Sequence, residues 1–127
     1  MAVDFQITDD GWITRLKFTD PWDVGDLLDK FAVGRELRDR SLHSIYTLID
    51  LRDTRQIPPS LLRVRASPVF THPRSGYIAV IGASTLAQAL VEMIAHLSHK
   101  DQVGFFASEE QALSYLRRLI NAESVQQ

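Results

Sequence analysis

The 127-residue chain contains no cysteine. That excludes disulfides, thiolate metal sites and cysteine nucleophiles together, and it fits a reducing compartment. No apolar run approaches the about 18 residues of a membrane span. The N-terminus, MAVDFQITDD, has no basic residue, so no signal peptide is expected and the cytoplasm is the expected location. There is no surplus of positive charge either: 14 Lys and Arg stand against 16 Asp and Glu, a net charge of −2 with a pI near 6.0. A nucleic acid held by bulk charge is therefore not an expected partner. Neither a GxGxxG nor a GxxxxGK run occurs, which removes the glycine-rich phosphate loops. The remainder, 45% hydrophobic and 24% charged, is the composition of an ordinary globular domain. The length suits one domain able to bury a core.

Val3, Phe5 and Ile7 alternate with polar residues, Asp9-Asp10-Gly11 is turn chemistry, and Trp12, Thr14, Leu16 and Phe18 share one parity of a second alternating run. Together these predict a β-hairpin. Thr19-Asp20-Pro21 has the chemistry of a helix start, and Val24, Leu27, Leu28 and Phe31 follow at helical spacing. Acids at Asp20, Asp23, Asp26 and Asp29 and bases at Arg35, Arg38 and Arg40 suit the dipole of a solvated helix, interrupted in pattern at Gly34. Ile45–Leu51 is too apolar for a one-sided strand and is placed centrally, with both faces covered. Pro58-Pro59 opens a short helix carrying Leu61 and Leu62, and Ala66–Gly76 is predicted to be a mobile loop. Tyr77–Ile81 is a second buried strand ending at Gly82. Ala83-Ser84-Thr85 caps a helix of about fourteen residues with a stripe of Leu86, Leu90, Ile94 and Leu97. A short strand at Val103–Phe106 and a capping box from Ser108 to Gln111 lead to a last helix with Ala112, Leu113, Leu116, Leu119 and Ile120 inward. The expected fold is a single α/β domain over residues 1–120, with a frayed tail over 121–127. Its sheet has about five strands, mostly parallel after the N-terminal hairpin, with about four helices.

In this order the chain resembles the STAS-like proteins, in particular the SpoIIAA-like group that includes anti-sigma-factor antagonists. The resemblance rests on the opening hairpin, on Leu48-Ile49-Asp50-Leu51, on Tyr77–Gly82, and on the run from Phe105 to Leu113, covering roughly residues 3–120. It implies a regulatory domain whose working edge is the loop after the central strand. In phosphorylatable antagonists that edge carries a serine. Counted from Asp50, the position falls on Pro59, which cannot be phosphorylated, with Ser60 beside it in a capping or solvent role. Some SpoIIAA-like proteins of this length are grouped with lipid-binding CRAL-TRIO domains, so apolar-ligand binding stays open.

Enzyme chemistry finds little support. Ser84 follows Gly82-Ala83 but lacks the spacing of a nucleophile elbow and reads as a helix cap. His96 and His99 lie three apart on a helix without a suitable third ligand, so no metal is expected. Asp50, in an apolar strand, should be satisfied by backbone N–H groups or an arginine and not serve as a base. No cofactor is expected. The local anomaly is charge: Arg52, Arg55, Arg63, Arg65 and Arg74 face a single acid, Asp53, within one stretch. Arginine's planar fork suits carboxylates and phosphates. The leading expectation is a non-enzymatic docking module: Arg52, Arg55, Ser60 and the following helix meet a protein partner of acidic character. The alternative is a small anionic or lipid-like ligand held between residues 63–76 and the sheet, with Arg63, Arg65 and Arg74 at hand. Two tryptophans, Trp12 and Trp22, are a large load for one small core and raise a homodimer as an expectation.

Overall fold

The computed structural model describes residues 2–55 and 67–126. Strands β1 (Val3–Thr8) and β2 (Ile13–Thr19) form the expected antiparallel hairpin, joined by a turn in which Asp9, Asp10 and Gly11 all have positive φ. Helices α1 (Val24–Leu28) and α2 (Phe31–Arg40) lead to β3 (Ile45–Asp53). A short helix α3 (Pro68–Thr71), β4 (Ser75–Ile81), α4 (Thr85–Leu97), β5 (Val103–Phe106) and α5 (Glu109–Gln126) complete the chain. The sheet runs β1-β2-β3-β4-β5, antiparallel at the first pair and parallel thereafter, which is the α/β layout read from the sequence.

Because every crossover steps to the next strand in one direction, a constant hand keeps the crossover helices on one face. That face joins Leu16, Phe18, Ile49, Ile78 and Val80 to Leu27, Val69, Phe70, Ile94 and Ala95. The opposite face is covered by α5, whose Ala112, Leu116 and Ile120 meet Ile13, Tyr46, Leu48, Ala79 and Ile81. β3 is buried from Ile45 through Asp50, as its unbroken apolar run requires.

Several local expectations shift. The first helix starts at Asp23, not at Thr19-Asp20-Pro21: the Asp23 carboxylate accepts from the Asp26 N–H and Asp26 reciprocates at the Asp23 N–H. The helix breaks between Leu28 and Phe31, and Gly34 lies inside α2, where a β-carbon would come within 3.2 Å of the Arg38 guanidinium. Ala66–Gly76, expected as a mobile loop, holds α3 from Pro68, capped by the Ser67 hydroxyl and burying Val69 and Phe70. The last helix does not fray at Asn121. Glu123 accepts from the Ser44 N–H at 2.9 Å and the Tyr46 hydroxyl at 2.9 Å, tying the end of α5 to the start of β3. Trp12 departs from the parity of Thr14, Leu16 and Phe18. It packs on the α5 side and stacks on His43 at 3.6 Å, while Trp22 is buried on the other face. The two rings never compete for one core, which removes the premise for self-association. The helix opened by Pro58-Pro59 lies outside the described residues.

Arg38, read as an exposed helix-end base, is 1% exposed. It donates to the Gly34 carbonyl at 3.0 Å and to Thr47 Oγ1 at 3.1 Å; its Nε has no partner and no carboxylate pairs with it among the described residues. Burial pulls its pKa down to about 10, and its charge in turn adds to the burial that lowers Lys100. A buried charge without a counter-ion is a cost. Arg38→Met keeps the stem volume, and Thr47 keeps a neighbour in the Thr14 hydroxyl. Urea denaturation of that variant should show stability unchanged or raised by about 1 kcal/mol. A loss above about 2 kcal/mol would mean that the guanidinium's two hydrogen bonds outweigh its desolvation.

Candidate functional site

The C-terminal ends of β3 and β4 come together around an apolar cavity of about 540 Å³. Its floor is the sheet, at Leu16, Phe18, Ile49 and Leu51. Trp22 and Leu27 form one wall, Val69 and Phe70 another, and Ala87, Leu90, Val91 and Ile94 of α4 a third. The sequence explains the space. α4 was expected to turn Leu86, Leu90, Ile94 and Leu97 inward, but Leu86 is 59% and Leu97 47% exposed. Ala87, Val91 and Ala95 stand on the inner side with Leu90 and Ile94, so small side chains face the sheet where leucines would have filled the gap.

The polar side chains of the lining are Thr54, Arg55 and Ser84 at the strand ends and Ser67, which is buried and caps α3 near the start of β4. Three of their four side chains are already engaged. Ser84 caps α4 by accepting from the Ala87 N–H at 3.1 Å, the helix-cap role its sequence predicts. Ser67 accepts from the Val69 N–H at 3.2 Å. Thr54 Oγ1 accepts from the Trp22 indole N–H at 2.7 Å and donates to Asp20 at 2.6 Å, while the other Asp20 oxygen accepts from the Arg55 backbone N–H at 2.8 Å. That chain fixes the Trp22 wall to the segment after β3. The Arg55 guanidinium makes no hydrogen bond or ion pair among the described residues.

Arg52 also borders the cavity, but its guanidinium belongs to the other face of the sheet. Asp50, fully buried, accepts from Arg52 Nε at 3.0 Å, Arg52 Nη2 at 2.8 Å, the Arg52 backbone N–H at 3.0 Å and Arg15 Nη2 at 3.2 Å. Glu109, at the start of α5, pairs with Arg15 and lies 3.9 Å from Arg52. Burial alone would push the Asp50 carboxyl up, but the hydrogen bonds from the Arg52 side chain, its backbone and Arg15 overcome this and hold it at about 2. The expectation that Asp50 is satisfied by an arginine and a backbone N–H is met.

Of the six sequence-flagged residues, the structure brings Arg52 and Arg55 together beside the cavity. It sets Arg74 at the opposite end of the sheet, where the Arg74 carbonyl accepts from the Ile45 N–H and its side chain reaches the Leu42 carbonyl. Ser60, Arg63 and Arg65 lie outside the described residues. His96 and His99 are exposed, and no cluster of three metal-ligating side chains forms among the described residues. No described helix is long and apolar enough to cross a membrane. Trp22, Thr54, Asp20 and Ala87 were not singled out as site residues from the sequence; the run Gly82-Ala83-Ser84 with Ala87 was the available sign of a small-residue helix start over a strand end. No family model matches the chain, and no curated protein does.

Proposed function

We propose that this STAS-like chain binds a small apolar-bodied ligand in the cavity between α4, α3 and the sheet. The observation that supports it is the lining: among the described residues the walls are aliphatic and aromatic, and Thr54, Arg55 and Ser84 stand at the strand ends, the usual anatomy of a site for an amphiphile. Each methylene moved from water into such a cavity contributes about 0.8 kcal/mol, so micromolar binding, about 8 kcal/mol, takes a tail of at least about ten methylenes once the cost of association is added. Docking of an acidic protein through Arg52 and Arg55 is the weaker reading, because the Arg52 guanidinium is committed to Asp50.

Filling the space tests the reading. Ala87→Trp puts an indole into the cavity from its α4 wall. In the unmodified chain an environment-sensitive dye, N-phenyl-1-naphthylamine, should brighten on binding, and a lipid extract should raise the melting temperature. Ala87→Trp should lose at least tenfold in dye affinity while its own melting temperature stays within a few degrees, as expected where a void accepts added volume. Equal dye binding by both proteins would reject the cavity as the site.

A further inference from the structure

Resting on that cavity reading, we propose that the ligand is a single-chain monocarboxylate, one aliphatic tail with its acid group on Arg55. Size sets the tail. At about 30 Å³ for each water-sized group, the 540 Å³ cavity holds roughly 18 non-hydrogen atoms. One fatty acyl chain with its carboxylate fills that space, whereas a two-chain lipid has more than twice as many atoms.

Charge sets the head group. Two arginines border the cavity, but Arg52 is held by Asp50 on the far face of the sheet, with Glu109 at 3.9 Å. That leaves Arg55 as the one rim cation whose fork is free among the described residues. A guanidinium binds a carboxylate through two parallel N–H donors with matched charge. Thr54 Oγ1 both accepts and donates, and the Ser67 and Ser84 hydroxyls accept from backbone N–H groups. A neutral alcohol head could add only a neutral hydrogen bond there, about half as strong as a charge-assisted one to Arg55.

The test uses the full chain and three probes competing against bound N-phenyl-1-naphthylamine: palmitate, hexadecanol and dipalmitoylphosphatidate vesicles. Palmitate should displace the dye at a concentration at least tenfold below that of hexadecanol, and the vesicles should not displace it. Arg55→Gln should erase the preference for palmitate and leave hexadecanol unchanged, whereas Arg74→Gln, at the opposite end of the sheet, should change neither. Quenching of the buried Trp22 by a brominated fatty acid should follow the same order. If palmitate and hexadecanol compete equally, or Arg55→Gln keeps the preference, the carboxylate assignment is wrong while the cavity reading stands. If the vesicles compete as well as palmitate, the single-chain assignment is wrong. If no probe competes and Ala87→Trp binds dye like the unmodified chain, the cavity reading itself fails.

Discussion

Asp50→Asn should be among the most destabilising conservative changes in this chain, costing about 3 kcal/mol at neutral pH. Removing one partner of a buried ion pair typically costs about 3–5 kcal/mol, because the remaining charge is left uncompensated. The lower end applies here, since the Arg15 and Arg52 side chains keep 24% and 46% of their surface in water. Asparagine fits the space but turns an amide N–H₂ toward donors that now lack an acceptor. The pH dependence is an independent check. The folded-state carboxyl titrates at about 2, below its ordinary 3.8, so its stabilisation is complete above about pH 4 and is lost as pH falls through about 2, amounting to about 2 kcal/mol. Asp9, held low chiefly by hydrogen bonds from Arg117, contributes in the same direction. So does Glu123, where burial is outweighed by hydrogen bonds from Ser44 and Tyr46. The informative quantity is therefore the difference between proteins. Urea midpoints measured between pH 7 and pH 2.5 should fall less steeply for Asp50→Asn than for the unmodified chain. Parallel curves would mean that Asp50 is not the carboxylate that folding depresses.

The sequence made Asp50's fate readable because an acid inside a run like Ile45–Leu51 has few ways to survive burial, and Arg52 stood two residues away. Arg15 was not readable. Its strand alternates like a one-sided hairpin strand, and only when α5 covers the second face does the Ile13 and Arg15 side become interior. Arg38 failed for a related reason: a base near a helix end satisfies the dipole rule, and nothing local reveals that α2 turns that position into the sheet. The cavity was missed through α4. Periodicity weighs large apolar residues, so Leu86, Leu90, Ile94 and Leu97 marked a face, whereas the helix is docked by Ala87, Val91, Ile94 and Ala95. Two helical faces of similar apolar character were available, and the choice between them depends on how closely the crossover passes over β4. The order and type of the five strands survived all of this, because strand runs, glycine turns and caps are local signals.

Gly82→Ala should cost about 3 kcal/mol or more and should weaken ligand binding as well. Gly82 has φ +73, a conformation that costs a non-glycine residue about 1 kcal/mol. The larger part is contact. A β-carbon at Gly82 would lie 2.5 Å from Arg52 Cγ, 2.6 Å from its backbone N and 2.7 Å from its Cα. Two of those atoms are backbone, so a rotamer change in Arg52 cannot relieve them. The Arg52 N–H is also one of the donors that satisfy Asp50, at 3.0 Å, so β3 cannot shift away without loosening the buried carboxylate. Gly82 therefore stands at a joint: on one side it permits the approach that orients Arg52 toward Asp50, and on the other it borders the cavity beside Ala83 and Ser84. If both roles run through the Arg52 backbone, the effects of Gly82→Ala and Asp50→Asn should not add. In a double-mutant cycle by urea denaturation, the pair should cost less than the sum of the singles by about 1 kcal/mol, since the second change acts on a cluster the first has already loosened. Additivity within about 0.3–0.5 kcal/mol would show that β4 gives way instead of β3. In that case Gly82→Ala should still narrow the cavity entrance and reduce dye affinity, with the Asp50 cluster and its pH dependence intact.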